Sequence, residues 1–207
     1  MAGAVSAVLL LVASVRVAAQ SAAPDSVVYR LSPASRMDVK TGNAGLLGFA
    51  GHEHRIRARA FSGRIVYRPQ ALATSHIDLL ISADSLEVLT PPDTAEIRKV
   101  AQVMRTDVLD VAHHPDIRFS SSTIVPSDSA GHRVRVSGTL TIVGVSRDVS
   151  VELSLHPDAD TLRAAGAFQA KQTDFGIRPY RGGPAGTVRV ADRLTFELAV
   201  VAVRSPP

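Results

Sequence analysis

VRVSGTLTIVGVSRDVSVELSL, residues 134–155, alternates apolar and polar side chains in two runs separated by Gly144. Val134, Val136, Leu140 and Ile142 share one parity of the first run, and Val149, Val151, Leu153 and Leu155 share one parity of the second. Arg135, Thr139, Thr141, Ser150, Glu152 and Ser154 fall between them. Successive side chains of an extended strand point to opposite faces, so this period describes two strands with one apolar and one wet face. Gly144 predicts a tight turn joining them. Arg147 and Asp148 read as surface residues near that turn. The apolar face must be covered by a core or by a ligand.

The flanking sequence repeats the pattern. SVVYRL (26–31) and SRMDVKTG (35–42) read as a first pair of strands around Ser32 and Pro33, followed by a Gly-rich crossing, NAGLLGFAGHEH (43–54). In HRIRARAFSGRIVYR (54–68), Arg55, Arg57 and Arg59 take one face and Ile56, Ala58 and Ala60 the other, with Gly63 predicting a bend or bulge. HIDLLISADSL (76–86) places Ile77, Leu79 and Ile81 on one side. One helix follows TPPD, with Asp93 or Thr94 as its cap, Glu96 in its first turn and an apolar stripe of Ile97, Val100, Val103 and Met104. Pro115 bars its extension. Strands resume at IRFSSSTIV (117–125), TLRAAGAFQAKQ (161–172) and TVRVADRLTFELAVVAVR (187–204). Strands, one helix, then strands exclude a doubly wound parallel sheet and predict a mainly β protein, an antiparallel barrel or sandwich with one short helical insertion. About eight strands leave an interior wide enough for side chains or one slender ligand.

MAGAVSAVLLLVASVRVAAQ, residues 1–20, is an apolar, small-residue stretch with a cleavage pattern at Val17, Ala18 and Ala19. It predicts a signal peptide over residues 1–19 and a single mature domain over 20–207, placed in a periplasm or outside the cell. The chain has no cysteine, which excludes disulfides, a thiol nucleophile and a lipidated cysteine. Its net charge of +4 is spread along the strands, and aromatics make up only 4% of residues. That balance argues against a nucleic-acid partner, which needs stacking faces, and is compatible with transient contact at an anionic membrane surface.

The segments AFSGRIVY, ISADSLEV, LDVAHHPDIRFSSSTI, VSGTLTIVGVSRDVSVEL and TDFGI, in that order, resemble the YceI-like family of exported polyisoprenoid-binding proteins over nearly all of the chain after residue 26. The resemblance implies a single lipocalin-like antiparallel barrel whose tunnel holds an isoprenoid lipid, with no catalysis and no cofactor beyond that lipid. It implies a wall built from Ile56, Ala58, Ile77, Leu79, Ile81, Phe119, Val136, Leu140, Val151, Leu153, Phe168, Phe196 and Leu198, with Ile97, Val100, Met104 and Phe175 added from the helix and the DFG step. The chain departs from the family's pattern where Tyr29 stands in place of an early Trp, where Thr173 precedes DFG, and where a single early His becomes HEH.

His52, Glu53 and His54 form the sharpest local cluster. Two imidazoles at alternate strand positions can share a metal, but a catalytic zinc site needs a third ligand and a structural one a fourth. His113 and His114 are distant candidates to complete it. Alternatively, His52 and His54 at a tunnel mouth offer donors and acceptors to a lipid head group. Arg178, Tyr180 and Arg181 are further candidates for an anionic head. Three readings therefore stand: a barrel holding an apolar lipid, a metal-dependent enzyme or metal-binding protein using His52 and His54, and a packed structural or stress-related barrel. Ala58, Ala60, Ala164, Gly166 and Ala170, as small inward residues, argue against complete filling. Monomer and homodimer are equally compatible with these patterns.

Overall fold

The computed structural model describes residues 26–44, 53–89, 94–129, 131–182 and 188–206. Residues 1–19, His52, Asp93 and most of the Gly-rich crossing lie outside them. In chain order the strands are β1 (Val27–Leu31), β2 (Arg36–Ala44), β3 (Arg55–Ala58), β4 (Phe61–Tyr67), β5 (His76–Ser82) and β6 (Leu86–Val88). Helix α1 (Thr94–Val103) continues into a wider π turn, Met104–Val108. β7 (Asp116–Pro126), β8 (Arg133–Ile142), β9 (Val145–Pro157), β10 (Thr161–Lys171), β11 (Arg181–Gly182) and β12 (Val188–Arg204) follow.

Eight of these strands close a ring in the order β1, β4, β5, β7, β8, β9, β10, β12 and back to β1, every pair antiparallel. β12 makes closure possible because its second edge is divided. Its end, Ala202–Arg204, pairs with β1, whereas Ala199 and the residues before it pair with β2. β3 and β6 extend the sheet from β2, and α1 lies beside β6.

The opening stretch forms β8 and β9 as its alternation predicts, with Val136 facing Val151 and Val134 facing Leu153. All four lie on the buried face. The turn is Val143–Gly144, both with positive φ, at 50° and 71°. A two-residue hairpin of this hand requires positive φ at both positions, which Gly supplies freely and a β-branched Val resists. Val143→Asn should therefore raise stability by about 1 kcal/mol in thermal unfolding, and a fall would show that its partial burial outweighs the backbone strain.

Two local expectations change. β4 runs through Gly63 without a bulge, in unbroken register with β5. Glycine is needed there because a Cβ would lie 2.7 Å from Leu31 Cδ1 and 2.9 Å from the Asp78 carbonyl oxygen. The bulge sits instead in β7, between Ser121 and Thr123. Ala60 is exposed in the short connection after β3, so it does not point inward.

Candidate functional site

A cavity of about 190 Å³ is walled by the ring together with β2, β3 and β6 beside it. Its wall reaches from Val134 to Ile142 along β8, a run of roughly 26 Å at about 3.3 Å per residue, so the space is long and thin. β3 contributes Ile56 and Ala58, β5 contributes Ile77, Leu79 and Ile81, and β7 contributes Phe119. Val136, Leu140, Val151 and Leu153 come from β8 and β9, and Phe168, Phe196 and Leu198 from β10 and β12. Phe168 and Phe196 are cross-strand partners whose rings stack with centroids 4.7 Å apart. Inward parity on each strand produces this wall, because a closed antiparallel barrel sends every second side chain to the interior.

Four other candidates stand behind the wall. Ile97, Val100, Met104 and Phe175 do not line the cavity but pack in an apolar cluster with Met37, Leu86, Ile142 and Ile177. The helix turns its stripe toward this cluster at one end of the barrel, and Phe175 is 2% exposed. His54 is also absent from the lining. It sits just before β3, where its amide donates to Thr41 Oγ1 at 3.1 Å and its carbonyl oxygen accepts from the Thr41 amide. His113 bonds Asp110, and His114 lies beside Gly144. Among the described residues, no group of three His, Asp or Glu side chains is arranged to hold a metal ion.

A charged cluster on the outer face of the wall has no signal in local period, since Asp38 pairs with Arg57 and Glu197 while its neighbours Met37 and Val39 face inward. Asp38 of β2 is 6% exposed. Arg57 donates to both its carboxylate oxygens at 2.7 Å, and Arg55 adds a bond of 3.3 Å. The Arg57 hydrogen bonds hold its carboxyl below the usual carboxylate range, against the opposing effect of burial. Arg55 also reaches Glu197 of β12 at 3.7 Å, and Glu197 takes a bond from Lys40. Ser75 and Tyr67 also border the cavity. Ser75 Oγ accepts from the Arg68 amide, and burial raises the Tyr67 phenol. The signal for Asp38 was the Arg55 and Arg57 stripe itself, since paired arginines on one strand face call for an acid on the next strand.

The barrel geometry has known counterparts. Burkholderia cenocepacia BcnA superposes with a TM-score of 0.66 at 22% identity, covering 84% of this chain and 99% of that one. A polyisoprenoid binding domain from Saccharophagus degradans, implicated in plant cell wall breakdown, gives 0.63 at 13% identity, over 86% and 99%. The Campylobacter jejuni YCEI protein gives 0.56 at 18% identity, over 73% and 85%. These likenesses establish a shared fold. No curated protein sequence matches the chain. The family model for the YceI-like domain matches residues 30–202, from β1 into the end of β12, and the chain therefore belongs to the YceI-like family.

Proposed function

We propose that the protein is an exported carrier or store for a single-chain apolar lipid of the isoprenoid type, and that it performs no catalysis. The long, thin apolar cavity carries this reading, because a bulky ligand would need width and a polar one would need donors along the wall. The S. degradans neighbour, described as a polyisoprenoid binding domain, supports the ligand class. Residues 1–19 support delivery to a periplasm or the cell exterior.

The driving force is burial, about 0.8 kcal/mol for each methylene-sized group. An engineered cavity of about 150 Å³ takes up benzene, so the present space holds on the order of one to two five-carbon isoprene units. A longer chain enters as side chains along the wall rotate aside. Solvent extraction and mass spectrometry of the protein purified from its native host test the reading. A bound isoprenoid is expected; protein that is reproducibly empty and ignores added isoprenoids overturns it. Ala164 faces the cavity from β10, opposite Leu155. Ala164→Phe should fill the space and cut bound lipid about tenfold while the fold persists, as measured by the same extraction.

A further inference from the structure

The ring of strands has a gap in its hydrogen bonding. β9 and β10 pair only from Pro157↔Leu162 to Glu152↔Ala167. Both strands continue beyond that point, β9 back to Val145 and β10 on to Lys171, yet no pairing joins them there. A closed barrel ordinarily leaves no free strand edge, so this seam breaks the rule on which the wall depends. A cleft of about 380 Å³ occupies it, bounded by Arg147 to Ser150 on one side and by Phe168 to Ala170 with Asp174 and Phe175 on the other. Val149 and Phe168 line both this cleft and the interior cavity, so a thin layer of side chain separates the cavity from the surface at the seam.

Phe175 fills the gap from one side. It belongs to a short 3₁₀ turn, Gln172–Phe175, ended by Gly176 at φ 74°. Asp192 of β12 accepts from the Thr173 amide and hydroxyl at 2.9 and 2.8 Å, and Gln172 donates to the Ala191 carbonyl oxygen at 2.8 Å. Among the described residues the turn's hydrogen bonds run to β12, to Lys171 and to Gly176 and Ile177 just after it, and toward β9 it shares an apolar cluster with Val145 and Val149. A plug tied down on one side can swing away from the other.

Arg147 gives the seam its chemistry. It lies opposite Leu140, on the inward parity of β9 between Val145 and Val149, yet it is exposed. Its guanidinium bonds the Ser146 carbonyl oxygen, and among the described residues no carboxylate forms an ion pair with it. We infer that the β9–β10 seam is a lateral portal to the cavity, which admits the tail of a single-chain lipid while Arg147 holds its anionic head at the rim. This inference rests on the lipid-binding reading above.

The chain has no cysteine, so two introduced thiols are unique. Ser150 and Gln169 are exposed and would be cross-strand partners if the ladder continued. Ser150→Cys with Gln169→Cys, bridged by a short bis-maleimide, should slow entry of farnesyl phosphate at least about tenfold. A bridge between Ser154→Cys and Ala165→Cys, across an intact rung, should leave entry unchanged. Seam-bridged protein that loads as fast as unbridged protein overturns the portal and leaves lipid binding standing. If farnesyl phosphate binds no form of the protein, the neutral fluorophore N-phenyl-1-naphthylamine decides. Entry of that probe slowed by the seam bridge upholds the portal and removes the anionic head group; unaffected entry, or none, sinks the portal, and the lipid reading stands or falls by the extraction above. Arg147→Gln should weaken farnesyl phosphate about tenfold and leave farnesol unchanged. An equal effect on both removes Arg147 from the head-group role.

Discussion

Gly138→Ala should lower the melting temperature by on the order of 10 °C. A Cβ at Gly138 would stand 2.4 Å from the Ser120 carbonyl oxygen, 2.7 Å from the Ser121 Cα and 2.8 Å from the tip of Phe119. Two of these three atoms belong to the backbone of β7, so no rotamer change removes the collision. The β7 bulge between Ser121 and Thr123 folds the neighbouring strand over this position. Either the bulge straightens or β7 and β8 move apart, and both disturb the wall at Phe119, Val136 and Leu140. Overpacking of this kind costs about 3 kcal/mol, and each kcal/mol moves the midpoint by roughly 2–4 °C in a domain of this size. Calorimetry of the variant checks the value; a shift within about 2 °C would mean that the bulge yields freely.

Asp38→Asn should cost about 2 kcal/mol near neutral pH, because Arg57 loses its paired acceptor and the partly exposed Arg55 contributes less. The loss depends on pH in a defined direction. The carboxyl titrates lower in the folded protein than in the unfolded chain, so its stabilisation is complete above about pH 4. That stabilisation disappears as pH falls through the depressed folded value. Urea unfolding of both proteins should therefore show two stability curves that lie apart at neutral pH and converge in acid. Parallel curves would mean that Asp38 acts through shape alone.

The parts of this fold that were legible are those written in local period. Residues 134–155 announce their hairpin because alternation needs no knowledge of any other segment, and the inward residues of β5, β10 and β12 follow by the same parity. Gly63 misled for the opposite reason. Its cause is Leu31, which comes into contact only when β1 lies along β4. The helix stripe was visible, but its destination was not, since an apolar face does not say whether it meets a cavity or a neighbouring cluster. The same holds for Phe175. Asp38 meets Arg57 only through the register of β2 against β3, and the β9–β10 seam exists only as a failure of two strands to stay together.

The divided edge of β12 bears on when the barrel can come into being. β10, β1 and β2 all wait for residues 188–204, and β1 lies more than 150 positions earlier in the chain. Contacts so distant in sequence form late and slowly, because a long loop must close before they offer any return. Until residues 188–204 are in place the strands can form only an open sheet, its apolar face uncovered. The interior becomes a separate compartment only after β12 has joined.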